Sequence, residues 1–434
     1  MMLLGTWTLA WAHATLVSAE PAKGAQLTAS PPRVRLVFSE PLEPSLAHVT
    51  LVGAGGASTK LPVAGDPHDV HAIVAPLAPL ASGAYRVVWH VVSADGHPVD
   101  GSYTFTLEGA TPAAAESAVV APPPPPAVAD TTSTWGPTVA DAPVVPAALR
   151  GVSVGALMAL GGLLGFLAWA GDSAEPRGAA RLAGTLALLT PVLLALYLAA
   201  WLVNASPDHR LTSDWITSAL GSGVGRVELW RLGLAVLVPW ALLLARRRGL
   251  AAVIALGALA VGGAAGHSAA IDPTWAIPAK AVHLVAAGAW LGGLLWLLAA
   301  GRGVEARGAE APFARQAARV SSVALGAVLL VVVTGVAQTL LFLPSPLDLV
   351  RSAYGAVTIA KIVGLLGLVA FGAYHRYRVL PRLPADATAA GRLASSLRGE
   401  VALFAVVVLL GGLLAFVPPP ARPASTPTTA SDAP

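Results

Sequence analysis

The chain has 434 residues, 12% of them charged and 55% hydrophobic, with a mean hydropathy of +0.69. A soluble globular chain of this length does not read that way, so a polytopic membrane protein with more than one structural unit is expected. The net charge of +4 is no nucleic-acid footprint, because the basic residues fall between apolar segments, and the lack of cysteine rules out disulfides, thiolate metal sites and thiol catalysis.

Residues 1–12 read as a signal peptide. They are apolar and short, and Ala10 and Ala12 occupy the small-residue positions before a cut that would leave His13 as the first residue. The alternative is that Met1–Ala19 stays attached as a membrane anchor. Residues 13–109 change character, with short β-branched runs separated by Gly, Pro and Ser: Arg33–Phe38, His48–Val52, His71–Ala75, Ala84–Val92 and Ser102–Leu107. The first and last alternate with period two. Together the runs predict an all-β unit, a small antiparallel sandwich. Residues 110–146 include Pro122 to Pro126 and almost no charge, which suits a semi-rigid linker.

From residue 147 to 417 the sequence predicts an all-α membrane bundle of about eight helices, at 147–170, 179–203, 227–245, 250–266, 278–300, 318–343, 354–374 and 397–417. Alternate loops carry fourteen basic residues: Arg177 and Arg181, then Arg246 to Arg248, then the Arg302–Arg319 group, then the Arg376–Arg398 group. Eight lie on the other side, from Arg150 to Arg422. The Arg-rich side is therefore expected to be cytoplasmic, with the β unit and both chain ends outside. Residues 418–434 read as a disordered tail.

The residues that carry chemistry are few. A chain beginning at His13 offers its α-amine and its own Nδ1 to one metal. Asp95-Gly96-His97 adds a carboxylate and an imidazole two positions apart, with Gly96 letting the loop bend. Three nitrogens and one oxygen suit the tetragonal preference of Cu(II). The competing reading is that Asp95 and His97 cap a turn. With methionine only at 1, 2 and 158, a thioether-rich Cu(I) site is excluded. His48 and His90 lie in predicted strands and read as structural, and His68 and His71 offer at most a weak secondary contact. His267 and His283 fall near the outer ends of adjacent segments and are candidate metal ligands on a transport path, against the alternative of a hydrogen-bonded structural pair. Asp208 and His209 lie in the long outer loop and could help capture. His375 suits an interfacial role, and Arg231 and Lys361 could simply snorkel. Glycine pairs at 161–162, 262–263, 292–293 and 411–412 read as close helix contacts.

Residues 13–108 resemble the CopC copper-resistance domain. The match rests on the initial His-Ala-x-Leu, the stretch from Ser18 to Ala22, Phe38-Ser39-Glu40-Pro41 and Ser93-Ala94-Asp95-Gly96-His97-Pro98-Val99. Residues 147–417 resemble the CopD membrane domain through Gly266-His267-Ser268, the run from His283 to Leu294, Val333 to Gln338, Ala360-Lys361 and Leu380-Pro381-Arg382-Leu383. The chain is thus similar to a CopC–CopD fusion. That resemblance implies a cupredoxin-like, Greek-key sandwich, followed by a copper transporter of the bacterial cytoplasmic (inner) membrane. It also implies His13, Asp95 and His97 as Cu(II) ligands. The expected function is capture of Cu(II) on the periplasmic side and movement of copper across the bilayer, inward, in copper homeostasis or resistance. Copper is the expected cofactor. The expected partners are the lipid bilayer and periplasmic copper donor or acceptor proteins. No catalytic residues are assigned and no nucleic acid is expected. The alternatives are a copper-dependent oxidase or oxygenase, or a haem-bearing membrane electron carrier using His267 and His283.

Overall fold

The computed structural model describes residues 15–108, 142–170, 176–244, 246–267, 273–302, 310–383 and 387–420. His13 and the proposed signal peptide lie outside them, as do most of the expected linker and tail.

Two sheets form the first unit. One has the order β1-β3-β7-β6, from Leu16–Glu20, Arg33–Phe38, Asp69–Pro76 and Ala64–Asp66. The other has the order β2-β9-β8-β4-β5, from Gln26–Leu27, Pro98–Leu107, Gly83–Val92, His48–Gly53 and Ser58–Leu61. All five predicted runs are strands. The short strands β1, β2, β5 and β6 carry too few residues to show a period. One pairing departs from the antiparallel expectation, because the two-residue β2 runs parallel to β9. Alternation does the sorting: Val34, Leu36 and Phe38 point inward along β3, and Tyr103, Phe105 and Leu107 along β9. Phe38 meets Trp89 edge-on at 6.2 Å in the shared core.

Ten helices follow among the described residues: α1 (Val144–Ala170), α2 (Arg177–Asn204), α3 (Ser213–Gly221), α4 (Gly223–Pro239), α5 (Arg248–Val261), α6 (Pro273–Ala300), α7 (Glu310–Phe342), α8 (Asp348–Arg351), α9 (Ala353–Tyr374) and α10 (Ala387–Leu414). Six of them, α1, α2, α6, α7, α9 and α10, are long and apolar enough to cross a membrane. The expected figure of about eight included α4, which carries Arg226, Glu228 and Arg231, and α5, which is short. α1 begins three residues earlier than expected, inside the proposed linker, because Pro146 falls in its first turn, where no backbone donor is lost.

α1 is the axis of the bundle and packs on α2, α5, α6 and α10. Of its apolar window 72% is buried, against 22% for α7, α9 and α10, which leave broad Val and Leu faces open. The tightest crossing is α1 on α6. A Cβ added to Gly162 would stand 1.9 Å from the Gly288 carbonyl oxygen, and one on Gly292 would stand 2.1 Å from the Gly162 carbonyl carbon. Only hydrogen fits there, as the glycine pairs implied.

The sandwich sits on one end of this bundle. Trp201 Nε1, at the end of α2, donates to the Gly96 carbonyl at 3.0 Å. The Gly223 N–H, at the start of α4, donates to Glu43 Oε1 at 2.9 Å, and His90 Nε2 lies 3.1 Å from the Ala205 carbonyl. Leu46 and Val92 of the sandwich share an apolar cluster with Trp201, Trp215, Val224 and Phe416. All these bundle residues lie at helix ends opposite to the Arg-rich loops.

Candidate metal centre

The centre starts from a tight turn between β8 and β9. The Gly96 N–H donates to the Ser93 carbonyl at 2.8 Å and the Ser93 N–H to the His97 carbonyl at 2.9 Å. The Ala94 N–H reaches Pro41 at 2.8 Å, tying the turn to the segment after β3. Gly96 holds φ at +96°, a value that disfavours a side chain. A Cβ there would also press on Trp201 Nε1 at 3.1 Å and on Val224 at 3.3 Å. Glycine is therefore required twice, once to bend the turn and once to let the bundle approach. Gly96→Ala should cost roughly 1–3 kcal/mol in strain and loosen the docked sandwich; thermal unfolding of the purified full chain checks this, and an unchanged midpoint would refute it.

The turn aims Asp95 into the interface, where it is 6% exposed. Its Oδ1 accepts from the Ser93 hydroxyl, from the His97 N–H at 3.2 Å and from His97 Nδ1 at 2.8 Å. Its Oδ2 faces His267 Nδ1 at 2.6 Å. His267 comes from the bundle. It follows Gly266, whose φ is +80°, just past the short turn Gly262–Ala264 that ends α5. The His97 and His267 rings stack at 5.5 Å and 19°, one from each module. Phe416 closes on His97 edge-on at 5.4 Å, while Phe342 and Tyr354 close on His267 at 6.1 and 6.0 Å. One carboxylate thus bridges the two modules.

Electrostatics follow from this arrangement. Burial alone would raise the Asp95 carboxyl, but the charge and hydrogen bonds of His97 and His267 outweigh it and hold the group well below the usual carboxylate range. Neighbouring Glu40 is pushed well above its ordinary value by burial and by the Asp95 charge. The site therefore keeps one carboxylate ionised beside one that resists ionisation.

Ligand atoms of Asp95, His97 and His267 lie within 4.8 Å of one another, and no other group of this kind occurs among the described residues. His267 Nε2 is buried with no hydrogen-bond partner there. An orphaned imidazole nitrogen beside a nitrogen- and oxygen-donor set without sulfur is a chemistry that can hold a borderline divalent transition metal.

The other sequence candidates fall elsewhere. His283 Nδ1 pairs with Thr334 Oγ1 of α7 at 2.9 Å and not with His267, so the alternative of a hydrogen-bonded histidine pair is not what forms; both histidines line one cavity. His48 and His90 serve the interface as structural side chains around Trp215. His71 folds onto Asp69 at 3.2 Å and His209 onto the Val203 carbonyl at 3.3 Å. His375 is buried between Glu400 and Ser396 at 3.1 and 2.7 Å, not interfacial. Arg231 does not snorkel: it is 1% exposed and bound to Glu228. The meeting of His267 with Asp95 was not anticipated; the only sequence signal for it was that both belong to the outer side.

A β-sandwich whose acid–imidazole turn is completed by a histidine from an apolar helical bundle defines a two-module metal-handling protein. The family comparisons agree. The CopC domain model matches residues 16–108 and the Copper resistance protein D model residues 314–414. Protein YobA of Escherichia coli K12 is 41% identical over 100 residues, covering 23% of this chain and 81% of YobA. Copper resistance protein C of Escherichia coli is 36% identical over 117 residues, covering 25% and 90% of the two chains. The crystal structure of CopC from Methylosinus trichosporium OB3b aligns with 30% identity and a TM-score of 0.22, over 23% of this chain and 98% of that one. The chain belongs to the CopC family of copper-resistance proteins and joins a CopC module to a CopD module, within the copper resistance and transport families.

Proposed function

We propose that this protein captures Cu(II) outside the bacterial cytoplasmic membrane and passes copper inward through its helical bundle. Copper is the cargo here, not a catalytic cofactor. The observation that carries the reading is the Asp95 carboxylate, held between His97 of the sandwich and His267 of the bundle. An ion bound there touches both modules at once, so transfer needs no diffusion between them. On binding, copper replaces protons that bridge Asp95 to the two imidazoles. His13 supplies further donors once the chain is cut before it. In support, the Thr15 N–H, two residues on, donates to Ser39 Oγ at 3.0 Å, and Ser39 adjoins the segment hydrogen-bonded to the Asp95 turn.

Eight crossings suit this reading better than six. The sandwich, Phe416 after α10, and His267 after α5 all meet at one end. Six and eight are both even, so the choice rests on the run from Gly223 to His267. α4 and α5 then form the pair that leads down from Gly223 and back to His267, with the Arg-rich loops in the cytoplasm.

The test is copper uptake into cells and into proteoliposomes. His267→Ala should slow uptake at least ~10-fold while Cu(II) electron paramagnetic resonance still reports a nitrogen-ligated centre in the sandwich. Wild-type uptake in that variant would remove the transfer role. N-terminal sequencing of the mature chain checks the contribution of His13.

A further inference from the structure

On the bundle side of the metal centre lies a cavity of about 190 Å³. At ~30 Å³ per water it has room for several waters or for one small hydrated ion. Its charged lining is cationic: Arg150 from α1, Arg231 from α4, Lys280 from α6 and Lys361 from α9. Four separate helices thus send a basic group into one space.

The acidic groups do not balance them. Glu228 is committed to Arg231, whose Nη1 donates to its two oxygens at 2.9 and 2.7 Å. Asp95 is committed to the two imidazoles. Arg150 Nη1 donates to the Tyr197 hydroxyl at 2.6 Å, and Lys280 donates to the Ala265 carbonyl, both uncharged partners. Arg231 Nε is buried with no partner among the described residues. Lys361 likewise has no hydrogen bond or ion pair among the described residues, and it lies close enough to Lys280 and His283 to repel their charged forms. A Cβ built on Gly266 would lie 3.6 Å from both Arg150 Nη2 and Lys280 Nζ, so two cations converge on one glycine with no carboxylate between them.

Arg231 has Glu228, but Arg150 has no carboxylate partner and its guanidinium cannot shed its proton, so that charge, and any carried by Lys280 and Lys361, is costly in a poorly solvated interior. A counter-ion resolves the imbalance. We propose that this chamber is a binding site for a small inorganic anion of the chloride or phosphate class, held by Arg231, Lys280, Lys361 and Arg150. The site stands on the cation cluster alone. Its role beside copper rests on the transport reading: the anion lowers the positive charge that a copper ion leaving His267 meets.

The test uses the purified full-length protein, with thermal unfolding followed as chloride or phosphate replaces gluconate at constant ionic strength. A ligand bound only by the folded state raises the midpoint with a saturable dependence. We expect saturation with at least one of the two anions, and a half-saturating concentration at least ~10-fold higher in Lys361→Met. Lys280→Met serves as a second variant should the first fail to fold. His97→Ala should lose copper while keeping the anion response, which separates this site from the metal centre. Bromide soaked into crystals should give anomalous density between Arg231 and Lys361. An unsaturable response that is equal in the variants, or bromide at the surface alone, would overturn the proposal.

Discussion

Asp95→Asn in the full chain should weaken Cu(II) binding at least ~100-fold and lower the thermal stability of the docked state. The carboxylate satisfies four groups: the Ser93 hydroxyl, the His97 N–H and the two imidazoles. Asparagine keeps the shape and removes the charge. Its amide NH2 would face either His97 or His267 donor to donor. Losing one partner of a buried ionic contact costs roughly 3–5 kcal/mol, and about 2.8 kcal/mol of that passing into metal affinity gives the stated loss. Competition with a chelator of known affinity measures the binding, and differential scanning fluorimetry measures the docking. Wild-type affinity in Asp95→Asn would mean the metal is held elsewhere.

Glu228→Gln should be among the most destabilising single changes in the bundle. Glu228 is 2% exposed and Arg231 1%, and the pair sits one helical turn apart on α4, against the cavity. Removing the acid strands a guanidinium that also has an unpartnered Nε. The expected cost is about 3–5 kcal/mol, whereas replacing both residues with apolar ones of similar volume, Glu228→Met with Arg231→Leu, should cost much less. Thermal unfolding in detergent of the single and double variants gives the comparison. Equal loss in both would show that packing, not charge, is what the pair supplies.

The sheets were legible where strands were long. Arg33–Phe38 begins and ends where its period-two pattern does, and Ser102–Leu107 falls within the longer strand Pro98–Leu107. Strands of two to five residues, such as Gln26–Leu27, leave no period to detect. In the bundle, hydropathy located the helices, and the distribution of arginine separated the two ends; every described contact with the sandwich lies at the Arg-poor end. The centre itself was half legible. Asp95 and His97 are two positions apart and announce themselves through Gly96. His267 is 172 positions from Asp95, and their contact depends on how the end of α5 is turned beneath β8 and β9. No local pattern encodes that rotation. The snorkelling expected of Arg231 failed for a related reason: helix-end position is visible in a sequence, but not which way the helix faces.

α5 and its terminal turn span only Arg248–Ala264. At 1.5 Å per residue that is about 25 Å, some 5 Å less than a typical hydrocarbon layer. His267 lies three residues beyond this segment, so the Asp95 turn meets the bundle where its short helix stops. On the transport reading proposed above, an ion held between Asp95 and His267, which are 6% and 7% exposed, sheds much of its hydration shell before any crossing.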